Sequence, residues 1–239
     1  MQEKITIQIN SEIGELEAVI LHKPGLEVEN MTPRNAQRAL YSDILNLSVA
    51  RKEYSQLECL LTRLTKTLFV DDLLGEVLSI SGCKEKLVRK VCLNEGQPGL
   101  ISLLTEVNNQ DLARQLIQGV PIKRDTITNF LNEDNYSLPP LHNFFFTRDA
   151  SISIYDKVLI ASMANRIRWR ESFIMQSIFE FHPLFSATII DPLPERSHDP
   201  SIRIEGGDIL IARNDILIMG IGARTSSQGV DFILEQLKA

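Results

Sequence analysis

Apolar and polar positions alternate at the start of the chain. Ile5-Thr6-Ile7-Gln8-Ile9 has the period of a half-buried strand. Asn10 to Gly14 then reads as a turn and Leu16 to Leu21 as a second strand, closed by the turn chemistry of His22-Lys23-Pro24-Gly25. From Thr32 the period lengthens. Thr32-Pro33 has the form of a cap followed by proline at the first helical position. Helical spacing then persists, with interruptions, to about Leu131. Val49, Leu57, Leu60, Leu61 and Leu64 fit one face of a helix. Shorter helices are predicted around Leu73–Leu78, Glu85–Leu93, Gly99–Val107 and Asp111–Gln118, with no fixed repeat.

Strand patterns return at Asn143, where Phe144-Phe145-Phe146 leads into Thr147-Arg148-Asp149. Ser151–Ile154 and Lys157–Ile160 flank Tyr155-Asp156 as a hairpin. A helix over Arg166–Phe181 ends just before Pro183, and Ala187–Ile190 is a further strand. Asp208–Ile211 and Ile216–Met219 flank a second hairpin turn, and Thr225-Ser226 caps a last helix running to Ala239. The order implies a mixed α/β core over residues 1–31 and 132–239, interrupted by a helical domain over 32–131. The last helix has no C-terminal glycine, so the chain reads as one stopped inside an element.

Composition narrows the classes. A chain that is 44% hydrophobic with a net charge of −6 can build a core but offers little to nucleic acid or an anionic membrane surface, both of which select basic patches. No apolar run is long enough to span a bilayer, and Met1-Gln2-Glu3-Lys4 lacks a signal-peptide pattern, so a cytoplasmic protein is expected. Cys59, Cys83 and Cys92 are an odd set without zinc spacing and read as plain helix residues. His22, His142, His182 and His198 form no paired metal motif and read as structural or surface residues.

Four segments carry charge where a core element would not. In Glu205-Gly206-Gly207-Asp208 two glycines permit close backbone approach, and two carboxylates suit a planar guanidinium. A surface turn with acidic residues is the competing reading. Asp149 follows a very apolar stretch, so it pairs with a base or faces a cavity. Arg168 and Arg170 lie near Glu171 on a predicted helix, where a solvated face with intrahelical pairs is the simpler reading. Arg224-Thr225 alone says little.

Together, and in this order, Asn143–Asp149, Arg168–Glu171, Ile204–Asp208 and Gly222–Thr225 resemble arginine deiminase, of the guanidino-group-modifying superfamily. Ser11–Leu16, Leu21–Gly25, Met31–Pro33, Tyr41–Leu45 and Ala50–Tyr54 extend the resemblance over the whole chain. It implies a five-bladed α/β propeller (the pentein fold) with an inserted α-helical domain. The early helical stretch favours this family over related hydrolases that lack it.

The resemblance also implies roles. Asp149 and Glu205 would grip the substrate guanidinium, with Glu205 supporting proton transfer. Asp208 would complete the acidic mouth. Arg168 and Arg224 would take the substrate carboxylate, and Asn143 and Phe146 would line its amino-acid end and aliphatic arm. The family converts L-arginine to L-citrulline and ammonia through a cysteine thiolate, with a histidine moving protons and no cofactor or metal. Those residues lie downstream in the family, and no cysteine or histidine of this chain matches them. A truncated chain with an incomplete propeller is therefore expected, inactive alone and with open strand edges. The alternatives are a non-catalytic arginine-binding or interaction paralogue and an amidinotransferase relative. Homo-oligomers are common in the family.

Overall fold

In a computed structural model, which describes residues 4–31, 40–196 and 199–238, Ser151–Ile154 and Lys157–Ile160 pair antiparallel across Tyr155-Asp156. Tyr155 takes a left-handed φ of 53°, as a two-residue hairpin turn requires. Thr188–Ile190 adds to Lys157–Ile160 in parallel, and the helix Trp169–Phe181 supplies the crossover between them. A one-turn 3-10 helix, Arg166–Arg168, leads into that helix; Asn165 begins it by accepting the Ile167 N–H at 3.1 Å.

The second hairpin, Ile209–Arg213 with Ile216–Met219, carries a bulge between Ile211 and Arg213. Its inward residues Ile209 and Ile211 join Ile152, Ile154, Leu159 and Ile204 in one buried cluster. The helix Ser227–Lys238 covers that cluster with Phe232 and Ile233. Ser226 caps this helix as expected, accepting the Gly229 N–H at 3.1 Å. Ile5–Thr6 closes the group by pairing in parallel with Phe185–Ser186. These elements belong to one of the chain's two units, Met1–Glu17 with Phe146–Ala239.

The other unit is Ala18–Phe145. Its helices Val70–Val77, Cys83–Asn94, Leu100–Glu106 and Asn109–Gln118 match the predicted short helices to within a few residues. The first packs on the last, and the middle two pack on each other. The long helix Leu47–Leu64 starts at Asn46, whose side chain accepts the Val49 N–H at 3.2 Å. None of its residues is buried, and Val49, Leu57, Leu60 and Leu64 remain exposed.

Two local expectations fail. Lys66–Phe69, inside the stretch read as helical, is a strand parallel to Ala18–Leu21. Phe144–Phe146 is not a strand: residues 142–145 form a turn, and Thr147–Ala150 is a short helix. Three consecutive phenylalanines suit a strand by propensity, but the fully buried Phe144 instead faces the His22 ring at 5.3 Å. The Thr32-Pro33 cap and His198 lie outside the described residues. Among the described residues no helix is long and apolar enough to cross a membrane.

The architecture is mixed α/β, with small separate sheets of two or three strands among the described residues and no closed sheet.

Candidate functional site

The Ile204-Glu205-Gly206-Gly207-Asp208 segment is placed by backbone contacts on both sides. Ile204 donates its N–H to Ser162 O at 2.9 Å, and the Ser162 hydroxyl donates to Ile202 O at 2.7 Å. A 3-10 turn, Gly206–Asp208, follows. A Cβ on Gly206 would lie 2.1 Å from Arg148 O, and one on Gly207 would lie 2.5 Å from Asp149 Oδ1. Both glycines have ordinary negative φ, so close approach is what requires them here. They let the turn rest directly on the short helix Thr147–Ala150.

That helix is pinned from its other side. Arg148 donates to both carboxylate oxygens of Glu12, at 2.6 and 3.0 Å, and to Ile209 O at 2.8 Å. Burial raises the Glu12 carboxyl, but the Arg148 hydrogen bond, the Ile211 N–H and the Arg148 charge outweigh it and hold it below the usual range. Arg148 is thus committed to holding the turn, and Asp149 is presented beside it.

Asp149 pairs with Arg168: Nη1 donates to Asp149 Oδ2 at 2.8 Å. Nε and Nη2 of the same guanidinium form a fork on Glu171, with Nη2 2.7 Å from Oε2. Glu205 Oε2 stands 3.7 Å from Arg168 Nη1. The solvated-face reading of this helix is therefore wrong. Arg168, Arg170 and Glu171 are all at least 97% buried, although Arg168 and Glu171 do form the predicted intrahelical pair. Desolvation pulls the Arg168 pKa down, but Glu171 and Asp149 raise it beyond its usual value. Desolvation pushes the Glu171 carboxyl up; Arg168 opposes this, while Asp149 and Glu205 add to it, and the net shift is upward.

Glu205 is held at three points. Its Oε1 accepts the Ala164 N–H at 3.2 Å, its own N–H donates to the buried Thr225 hydroxyl at 3.1 Å, and Arg224 Nη1 approaches Oε2 at 3.1 Å. Asp149, Arg168, Glu205 and Arg224 are thus brought together within one unit. Asp208, half-buried, ends the same 3-10 turn beside Gly220. Phe146 is exposed at the N-terminal end of Thr147–Ala150. Asn143 belongs to the other unit, where it is buried.

The sequence pattern does not mark Glu171 or Thr225 as site residues. The Arg168–Glu171 spacing of three was a visible signal of pairing, but its burial was not. Among the described residues no group of histidine, cysteine and carboxylate side chains is arranged to hold a metal ion.

Three carboxylates, Asp149, Glu171 and Glu205, face two guanidinium groups in this cluster. Asp208 adds a further carboxylate at the rim. Carboxylates gathered in this way suit a cationic, planar donor.

Comparison with known proteins is decisive about kinship. A family model described as arginine deiminase matches residues 37–239. The chain belongs to the arginine deiminase family. The arginine deiminase of Bacillus cereus (strain B4264) is 33% identical over 249 residues, covering 98% of this chain and 60% of the relative. That of Latilactobacillus sakei is 33% identical over 248 residues, with the same coverage. The arginine deiminase of Bacillus cytotoxicus is 32% identical over 249 residues. The chain spans 60% of the length of these curated relatives. The acid cluster, all of whose members lie between residues 149 and 224, falls within the matched region.

Proposed function

We propose that the cluster binds the guanidinium of L-arginine and that this chain supplies the substrate-binding part of an arginine deiminase. The observation that carries the reading is the gathering of Asp149 and Glu205 about one point, made possible by the close contact of Gly206 and Gly207 with Arg148 and Asp149. A planar guanidinium on Asp149 and Glu205 gains charge-assisted hydrogen bonds. Asp208 completes the mouth, and Phe146 lines the aliphatic arm of the substrate.

The two arginines have different parts in this proposal. Arg224, 45% exposed, is the first contact for a substrate carboxylate. Arg168 is 3% exposed and engaged by acids at all three nitrogens. It holds the acids in place, and a substrate guanidinium that takes Asp149 would free its Nη1 for the carboxylate. The fold, on this reading, is part of a five-bladed propeller with a helical insert over 32–131, in a cytoplasmic protein.

None of the three cysteines lies in the unit that holds the acids, and Cys83 and Cys92 are fully buried. A guanidinium is a poor electrophile without a thiolate, so the chain alone is expected to bind arginine without releasing citrulline. The same fact favours a second reading, an arginine-binding paralogue that performs no chemistry. Calorimetric titration with L-arginine tests what both readings share. Saturable binding is expected, weakened at least tenfold in Asp149→Asn and in Glu205→Gln; equal binding in both variants would remove the acid cluster from the site.

A further inference from the structure

Arg224 donates Nη1 to Glu205 at 3.1 and 3.4 Å. The partners are unequal. The Glu205 side chain is 5% exposed and tied to the Ala164 N–H, whereas the Arg224 side chain is 45% exposed. Nη1 alone makes the contact; Nε and Nη2 add no second hydrogen bond of a fork. Arg224 also sits in a short loop closed by Gly222 N–H donating to Thr225 O at 2.8 Å, so the closure of the loop does not use the Arg224 side chain. A fixed, buried carboxylate is thus neutralised by a loosely held guanidinium of the protein itself.

We propose that Arg224 is an internal competitor for the guanidinium position and thereby sets specificity for ligands carrying both a guanidinium and an anion. This rests on the reading of Glu205 as a guanidinium acceptor. A ligand with only a guanidinium must displace Arg224 and leave its charge without a carboxylate. A ligand with a carboxylate at its far end offers Arg224 a replacement as it takes Glu205. The exchange is close to neutral for arginine and costly for a bare cation. Selectivity therefore comes as much from rejecting the bare cation as from attracting the zwitterion.

The two origins of selectivity predict opposite signs. If Arg224 only anchors a carboxylate, its removal lowers arginine affinity and leaves agmatine, which is arginine without its carboxylate, unchanged. If Arg224 competes, its removal strengthens agmatine and guanidinium.

The test is titration of the 239-residue chain with guanidinium chloride, agmatine and L-arginine at constant ionic strength. Wild type, Arg224→Ala and Arg224→Lys are compared. Arg224→Ala should bind guanidinium and agmatine about threefold more tightly, the scale of a half-exposed ion pair, and arginine no more tightly than wild type. Arg224→Lys keeps the charge without the planar donor and should fall between them. Arg224 is exposed, so an unchanged melting temperature is expected; if Arg224→Ala unfolds, Arg224→Lys still shows the sign. Agmatine affinity unchanged or lowered in the variants, with arginine still bound by wild type, overturns the competitor and leaves the acid site standing. Absence of binding for all three ligands in every variant overturns both.

Discussion

Raising the pH from 6.5 to 9 should remove stability from the Ala18–Phe145 unit through one side chain, His22. The ring is 2% exposed, with Nε2 3.2 Å from Glu27 Oε1 and Nδ1 3.2 Å from Asp71 Oδ2, the latter a charge contact without hydrogen-bond alignment. Burial disfavours the charged ring, yet the Asp71 and Glu27 carboxylates more than offset it and push the pKa up to about 9. In the unfolded chain the same group titrates near 6.5. Because the folded value is the higher, the stabilisation is fully present below pH 6.5 and is lost as pH rises through 9. The full displacement corresponds to about 3 kcal/mol, and solvent at the half-exposed Asp71 reduces it to about 2 kcal/mol. Urea unfolding at intervals from pH 6 to pH 10, for wild type and His22→Gln, isolates this contribution. The wild-type midpoint should fall across that window, and the difference between the two proteins should shrink with it. A difference that is flat or grows with pH would refute a buried, protonated His22.

Gly206→Ala should destabilise the Phe146–Ala239 part of the chain by about 2–3 kcal/mol, because the new methyl meets the Arg148 carbonyl oxygen and a backbone atom cannot step aside. Gly222→Ala, with nothing within 4 Å of the new Cβ, is the control and should melt as wild type does. Leu210, Ile216 and Ile218 lie on the outer face of the second hairpin and are all exposed, so sedimentation should show self-association that Ile218→Lys reduces. A monodisperse wild-type monomer would contradict that.

Both hairpins were legible because alternation and a turn signal lie within about a dozen residues of each other, and local chemistry decides such elements. The last helix was legible for the same reason, through Ser226. The strand Lys66–Phe69 was not, because its partner Ala18–Leu21 lies far back in the chain and no glycine or proline separates it from the helices on either side. The phenylalanine run misled through propensity, which the burial of Phe144 overrode. At the site, residue types and order pointed to guanidinium chemistry. The burial of Arg168 and Glu171 was hidden, since it depends on Asp149 and Glu205 arriving from other elements to balance the charge. The pairing of Arg224 with Glu205 was hidden too, because each residue type on its own points to a substrate group and their separation of nineteen residues gives no sign that they meet.

The central claim is that the carboxylates of Asp149 and Glu205 select a guanidinium. Citrulline has nearly the shape of arginine but a neutral ureido group, so comparing the two ligands by calorimetry isolates the charge. The account predicts that the 239-residue chain binds arginine at least tenfold more tightly than citrulline, and that Asp149→Asn combined with Glu205→Gln abolishes the preference. Equal affinity for the two ligands in wild type, or a preference that survives the double substitution, would contradict it.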